Sequence, residues 1–277
     1  MTNSRSWAGR RTLVCGGTSG IGLQLAISLA TQGAHVAIIG RDPRKLQEAM
    51  SLATDRGAAS VVGFSVDLKA PNGSGDFQLL ENWLSQNDVD LLVNAIGRSD
   101  RGPLELVSSD DLMDLFQDNV LCTWNMIRIS LDSVKRASGV LINIGSLAGM
   151  IPSPNMGGYS IAKFGLTALS RQLRLELAKY GVSVLLVSSG PTARNDAGTR
   201  YDSVAKSRGV ADRNTNAPAG GAKLRLLDPV ILSDQILEAA FRRQRELVRP
   251  WKAKILAAIY PLWPTLSDRI LKNYLPS

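Results

Sequence analysis

The sequence predicts a single α/β domain in which helices cover both faces of a doubly wound parallel sheet, giving three layers. Apolar runs rich in Val, Ile and Leu alternate with segments of helical periodicity, which is typical of parallel strands buried on both faces. The chain has 277 residues, 44% of them hydrophobic and 20% charged, which is enough apolar material for a large core. Glycines follow the first apolar run, where a strand is expected to turn into a helix.

The first half of the chain predicts four strands separated by three helices. The strands are the apolar runs TLVC, AHVAIIG, ASVVGFSVDL and VDLLVNAIG. The helices between them are LQLAISLATQG, RDPRKLQEAMSLATDRG and FQLLENWLSQ. Asp42 precedes Pro43, so we expect it to cap the second helix.

The second half continues the pattern and then loses it. A long helix is predicted from about Ser108 to Arg136, followed by the strand GVLINIG, a helix that begins near Tyr159 and the strand VSVLLVSSG. Residues 191–228 show no period and are rich in Gly, Asn, Asp, Arg and Ser, so they predict a long mobile loop near the ligand side of the sheet. We therefore assign residues 1–240 to the α/β domain, which includes this loop, and residues 241–277 to a basic amphipathic C-terminal tail.

Cysteine and charge usage exclude several kinds of function. Cys15 and Cys122 lie in apolar surroundings, which favours buried reduced thiols, and His35 has no second ligand type nearby, so no metal site is expected.

The N-terminus carries no apolar stretch, which predicts a cytoplasmic protein. The net charge is +8, but the tail holds eight Lys or Arg against two acidic residues. This distribution argues against nucleic-acid binding by the body of the protein and for a partner of the tail.

The turn CGGTSGIG after the first strand is a candidate dinucleotide site. Its glycines follow a G-x-x-x-G-x-G pattern, which lets the backbone approach a pyrophosphate at a helix N-terminus. A tight turn also needs glycine for steric reasons alone, and that interpretation stays open. The predicted binding residues of this turn are Gly16, Thr18, Ser19, Gly20, Ile21 and Gly22.

The end of the second strand indicates which dinucleotide is bound. An acidic side chain there usually binds the adenosine ribose of NAD, but this chain has Gly40 and Arg41. Glycine leaves room, and arginine can make charge-assisted hydrogen bonds to a 2′-phosphate, so we predict NADP(H). The alternative is a solvated loop arginine.

The stretch GGYSIAKFG places Tyr159 and Lys163 one helical turn apart, a spacing that arises often by chance. Asn119 in FQDNVL and Ser146 in INIGS accompany the pair, together with the glycine turn, Asp67 in SVDL and the segment VNAIG. From about Arg10 to Pro191 the chain resembles the short-chain dehydrogenase/reductase family, which implies a Rossmann-like fold.

The resemblance implies a role for each of these residues. Tyr159 acts as acid in reduction and base in oxidation, Lys163 supports it and binds the nicotinamide ribose, Ser146 orients the carbonyl, and Asn119 keeps a water for proton relay. The further cofactor contacts that it implies are Asp67, Leu68, Asn94, Gly97, Tyr159 and Thr192. Three departures from the family pattern are Cys15 in place of a threonine, NAIG after the fourth strand and SSGPTAR after the sixth.

Lys163 also meets a physical need of the reaction. A tyrosine with a pKa of about 10 is a poor proton donor near neutrality. Lowering that pKa by about three units takes roughly 4 kcal/mol, about what one cation 4 Å away supplies at an effective dielectric of 20.

The leading prediction for function is an NADP(H)-dependent reductase of a hydrophobic lipid-like ketone, of the 3-ketosphinganine or steroid type. The tail resembles the tails of hydroxysteroid dehydrogenases and related lipid-ketone reductases. The alternatives are a 3-oxoacyl-carrier-protein reductase and a non-catalytic NADP-binding sensor or scaffold.

The tail carries an apolar stripe with basic flanks, which favours peripheral attachment to a membrane surface. The competing interpretation buries the stripe against another subunit in a homo-oligomer. The stripe consists of Trp251, Ile255, Ile259, Trp263, Leu266 and Ile270.

Overall fold

The computed structural model describes residues 6–70, 75–152, 154–193 and 224–272. The strands are β1 (Arg11–Cys15), β2 (His35–Gly40), β3 (Ser60–Ser65), β4 (Leu91–Asn94), β5 (Val140–Ile144), β6 (Ser183–Ser189) and β7 (Glu246–Arg249). All of these strands are parallel, and they form one sheet in the order β3-β2-β1-β4-β5-β6-β7. This order confirms the predicted doubly wound fold, with the change of winding direction between β1 and β4.

Helices connect the strands and cover both faces of the sheet. They are α1 (Gly20–Thr31), α2 (Pro43–Asp55), α3 (Phe77–Gln86), α4 (Ser109–Phe116), α5 (Cys122–Arg136), α6 (Tyr159–Leu177), α7 (Pro229–Phe241), α8 (Lys252–Ile259) and α9 (Pro264–Lys272). Short 3₁₀ turns lie at Leu104–Leu106, Leu147–Gly149 and Ala178–Tyr180.

The core lies in two layers because neighbouring strand residues point to opposite faces. Val14 packs into one layer and Leu13 into the other, and both are fully buried. The first layer contains side chains of α1, α2 and α7, such as Leu25 and Ile236. The second contains side chains of α3, α5 and α6, such as Met126. Burial on both faces explains why the strands read as continuous apolar runs.

The predicted long helix from Ser108 to Arg136 has a break that the sequence does not reveal. A π turn, Gln117–Leu121, separates α4 from α5 and contains Asn119. Such a wider turn is frequently found at functional sites. The N-terminus of α4 is fixed by a capping box between Ser108 and Asp111.

The end of the sheet differs from the prediction. The sequence analysis assigns residues 241–277 to a tail, but Glu246–Arg249 form β7 and pair with β6. This strand has only two apolar residues between charged ones, so it produces no detectable period. The part of the tail that follows the last strand therefore begins at Pro250. Of the predicted mobile loop 191–228, residues 194–223 lie outside the described residues, and its two ends meet in a bridge between Thr192 and Leu227.

Both cysteines are buried and free, as predicted. Burial raises the pKa of the Cys122 thiol to about 11, so it is protonated and unreactive at neutral pH. Within the described ranges, no three side chains of His, Cys, Asp or Glu are grouped to hold a metal ion. No described helix has the length and apolar character needed to cross a bilayer.

Candidate functional site

The glycine turn after β1 closes tightly against the loop after β4. Gly16 and Gly20 have φ angles of +77° and +54°, a backbone region that favours glycine. A Cβ at Gly16 would lie 2.8 Å from the Ala95 carbonyl oxygen, and one at Gly22 would overlap the carbonyl of Gly16. Packing therefore requires Gly16 and Gly22, and the backbone conformation favours Gly20, whatever the turn binds.

The turn also presents the positive end of a helix. Helix α1 begins at Gly20, and Ser19 makes no side-chain cap to it. The first turn of α1 contains no acidic residue, so no carboxylate of that turn compensates its partial positive charge. The N-terminus of α1 has no side-chain cap, and the glycines beside it leave the backbone accessible at close range. This arrangement fits the phosphates of a dinucleotide.

The end of β2 leaves Arg41 as the charged residue that can meet a ligand. Arg41 is exposed, whereas Asp42 caps α2 as predicted and accepts hydrogen bonds from the N–H groups of Arg44 at 3.0 Å and Lys45 at 3.2 Å. A Cβ at Gly40 would overlap the Thr18 side chain. The Thr18 side chain thus occupies the space next to Gly40, and an acidic residue would not fit there without moving it.

The loop after β3 is attached to α5. The carboxylate of Asp67 accepts a hydrogen bond from the backbone N–H of Lys69 at 3.0 Å, which closes a turn. Leu68 is buried, and its carbonyl accepts from Asn125 Nδ2 at 2.9 Å. These bonds fix the backbone of the predicted adenosine-binding loop.

Tyr159 begins α6 and Lys163 lies one helical turn later, at the carboxyl edge of the sheet. Lys163 Nζ lies 5.7 Å from the centre of the Tyr159 ring and donates a hydrogen bond to the Ile144 carbonyl at 3.1 Å. The lysine is only 4% exposed, and burial lowers its pKa to about 8. It is therefore still mainly protonated at neutral pH and can act on the tyrosine as a cation.

Ser146 follows β5, the strand whose end binds Lys163. Its Oγ accepts a hydrogen bond from the backbone N–H of Ala148 at 3.2 Å, which fixes the start of the short 3₁₀ turn. The hydroxyl can still donate a hydrogen bond to a substrate carbonyl, because this contact uses it only as an acceptor.

Asn119 is held through the nitrogen of its side-chain amide. Its Nδ2 donates to the carbonyls of Leu115 and Arg98, each at 2.9 Å, while its buried Oδ1 has no hydrogen-bond partner within the described residues. A Cβ at Gly97, where φ is +138°, would overlap this Oδ1 and lie 3.4 Å from Lys163 Nζ. The structure thus brings Asn119, Gly97 and Lys163 together around a small polar space.

Asn94, predicted as a cofactor contact, is buried in a polar chain behind the site, and the sequence analysis missed the other members of that chain. Asn94 Nδ2 donates to Asn143 Oδ1 at 3.0 Å, and Asn143 Nδ2 donates to Ser170 Oγ at 2.9 Å. This chain ties β4 and β5 to α6. The signal that could have revealed it is a single polar residue inside each of the apolar runs LLVN and VLINI.

Thr192, the last predicted cofactor contact, lies at the end of β6. Its segment is held by the bridge to Leu227 and by the hydrogen bond from Leu227 N to the Pro191 carbonyl at 2.9 Å. The carboxyl ends of parallel strands share one edge, so Thr192 lies on the same side of the sheet as the glycine turn.

Comparison with known proteins identifies the kind of protein that has this arrangement. Residues 10–202 match the family model described as short chain dehydrogenase. The chain is 30% identical over 189 residues to a very-long-chain 3-oxoacyl-CoA reductase of Laccaria bicolor, covering 66% of this chain and 56% of that protein. It is 28% identical over 191 residues to 2,3-dihydro-2,3-dihydroxybenzoate dehydrogenase of Bacillus subtilis, covering 69% and 72%. The match thus extends over little more than half of the fungal reductase.

Solved structures share the fold at lower sequence identity. A short-chain dehydrogenase from Sphingobium yanoikuyae in complex with NADPH has a TM-score of 0.70 and 22% identity, with 94% of this chain and 96% of that one covered. L-sorbose reductase from Gluconobacter frateurii, complexed with NADPH and L-sorbose, has a TM-score of 0.73 and 21% identity, with 88% and 96% covered.

Proposed function

Because the chain belongs to the short-chain dehydrogenase family, we propose that it is an NADP(H)-dependent oxidoreductase that interconverts a ketone and a secondary alcohol. The observation that carries the proposal is the buried Lys163, which is kept within 5.7 Å of the Tyr159 ring although burial disfavours its charge. A protein that only binds a dinucleotide has no need of a tyrosine beside such a cation.

Residues on this chain fit the cofactor. The bare N-terminus of α1 and the close-packed glycine turn suit the phosphates, and Arg41 suits a 2′-phosphate. Asp67 and Gly97 would lie on either side of the adenosine half. When bound, the dinucleotide supplies the hydride.

Side chains of α6, of the segment after β5 and of the π turn carry out the proton transfer. Tyr159 donates its hydroxyl proton to the substrate oxygen in reduction and takes it back in oxidation. The Lys163 cation favours the ionised tyrosine that donation leaves behind. Ser146 donates a hydrogen bond to the substrate carbonyl and orients it. Asn119, with its unpaired buried Oδ1, holds a water beside Lys163 through which the proton is replaced.

The proposed substrate is a ketone on a long acyl chain. Several relatives are named very-long-chain 3-oxoacyl-CoA reductases, and a 3-oxoacyl thioester carries its ketone at the β carbon of an acyl chain. These names support a lipid-like ketone in the form of a 3-oxoacyl thioester more than in the form of a steroid.

A panel of ketones tests the proposal. NADPH oxidation would be followed with 3-oxoacyl-CoA of increasing chain length, a 3-oxoacyl carrier protein, 3-ketosphinganine and a steroid ketone, with Tyr159→Phe as the inactive control. We expect the catalytic efficiency with the acyl-CoA series to rise with chain length. Turnover of the carrier-protein thioester alone would favour a 3-oxoacyl-carrier-protein reductase, and no turnover of any ketone by a protein that binds NADPH would favour a sensor or scaffold.

The tail supports a second proposal, that this enzyme lies at an anionic membrane surface. Trp251, Leu262 and Trp263 are 61%, 71% and 63% exposed on or beside two short helices. Lysines and arginines accompany them, with Asp268 as the only acidic residue between Trp251 and Lys272. Exposed tryptophans next to cations suit the interface between lipid headgroups and acyl chains. The cations are Lys252, Lys254, Arg269 and Lys272.

A chain that ends at Pro250 tests the tail. The full chain should sediment with anionic liposomes at low salt and remain in the supernatant with neutral ones, whereas the shortened chain should not sediment with either. If the full chain does not sediment with liposomes and the truncation instead lowers the oligomeric mass, the apolar stripe is a subunit interface.

A further inference from the structure

The π turn carries, next to Asn119, an acidic side chain that holds two cations. Asp118 Oδ1 lies 2.9 Å from Lys69 Nζ, and Asp118 Oδ2 lies 2.5 Å from Arg98 Nε. Lys69 is in the loop after β3, and Arg98 is in the loop after β4. One carboxylate therefore joins two loops that are about 30 residues apart in sequence.

Both loops belong to the proposed cofactor site. Lys69 N donates to the Asp67 carboxylate, and Arg98 directly follows Gly97. The helix that contains Asp118 binds the same loops through other groups: Gln117 Nε2 donates to the Lys69 carbonyl at 3.4 Å, and Asn119 Nδ2 donates to the Arg98 carbonyl at 2.9 Å. Three consecutive residues of the π turn thus contact the two loops.

The environment of Asp118 makes the contact energetically relevant. Its side chain is 14% exposed, whereas that of Asp114, one turn earlier on the same face, is 68% exposed and lies 3.9 Å from Arg98 Nη2. An exposed ion pair is screened by water and contributes little, but a mostly buried carboxylate between two cations is screened much less. Removing its charge would leave Lys69 and Arg98 as two like charges across a narrow gap, and their repulsion would spread the loops.

We propose that Asp118 is a positioning residue, which fixes the two loops around the adenosine half of the cofactor and ties them to the turn that carries Asn119. The inference rests on the proposed function, because that function assigns these loops to the cofactor.

The test compares Asp118→Asn with the matched control Asp114→Asn, which removes an acidic partner of the same arginine at an exposed site. The dissociation constant for NADPH would be measured by fluorescence titration, and thermal unfolding would be recorded for each variant. We expect Asp118→Asn to weaken NADPH binding about tenfold and Asp114→Asn to change it less than twofold. The KM for NADPH should rise in Asp118→Asn while the KM for the ketone stays within twofold.

A double substitution distinguishes positioning from general damage. In Asp118→Asn, adding Lys69→Met removes one of the two cations that have lost the Asp118 carboxylate, so the double variant should bind NADPH more tightly than Asp118→Asn alone. If Asp118→Asn does not fold, Lys69→Met by itself carries the test and should weaken binding about threefold, as one of the two pairs is lost.

Equal affinities of Asp118→Asn and Asp114→Asn would overturn the inference while leaving the proposed function intact. So would a lower melting temperature of Asp118→Asn with unchanged affinity, or, where Lys69→Met carries the test, unchanged affinity in that variant. Failure of the unmutated protein to bind NADPH would overturn the proposed function and this inference together.

Discussion

Replacing Lys163 by methionine should change how the stability of the cofactor-free protein depends on pH. Lys163 is 4% exposed, and burial lowers its pKa from 10.5 to about 8. Between these two values the unfolded chain binds a proton that the folded chain has released, so the lysine makes the free energy of unfolding rise with pH across that window. Methionine has a similar volume and does not titrate.

The size of the effect follows from the two pKa values. Holding the buried cation costs the folded protein about 3 kcal/mol at pH 7. Between pH 7 and pH 9.5 about 2 kcal/mol of this cost disappears as the folded protein releases the proton. The stability advantage of Lys163→Met over the unmutated protein should shrink by the same amount over that range.

Urea unfolding at pH 7, 8, 8.75 and 9.5 would measure the difference, with Lys254→Met as the control. Lys254 is exposed on α8, so its replacement should leave the pH dependence unchanged. The reasoning would be refuted if the free energies of unfolding of Lys163→Met and the unmutated protein changed with pH in parallel. That result would show that Lys163 binds its proton equally well in the folded and the unfolded protein.

Three further substitutions test other parts of the site. Tyr159→Phe should lower turnover at least a hundredfold with little change in NADPH affinity, since it removes only the proton donor; a variant with more than about a tenth of the activity would contradict this role. Arg41→Ala should reduce the preference for NADPH over NADH about tenfold to a hundredfold, in a comparison of catalytic efficiencies. Gly97→Ala should destabilise the protein by about 1–3 kcal/mol through its positive φ and its contact with Asn119 Oδ1; an unchanged melting temperature of this variant would contradict that expectation.

The fold was predictable because most strands are buried on both faces and leave an unmistakable apolar signal. Runs such as AHVAIIG and GVLINIG correspond to β2 and β5, and the alternation with helices gives the parallel topology. The candidate catalytic residues, such as Tyr159 and Lys163 on α6, were predicted from the family resemblance of several ordered motifs, and their catalytic roles stay predictions.

What the sequence did not reveal depends on contacts between distant segments. The π turn differs from an α-helix by one residue per turn and leaves no mark in the polarity pattern. In the sequence Asp118 cannot be distinguished from an exposed acidic residue, because its ion pairs with Lys69 and Arg98 form only when the chain folds. Asn143 and Ser170 become partners only when β5 packs against α6.

The position of β7 also bears on how this protein can be shortened without aggregation. β7 is the outermost strand beside β6, with Glu246 and Arg249 at its two ends. Short edge strands with charged residues resist pairing with other molecules. A chain cut at residue 240 would lose this cover and expose the ladder groups of the apolar strand β6, whose unpaired N–H and C=O groups would invite association between copies. A precipitate from such a chain would thus reflect a bare sheet edge and not the loss of the tail.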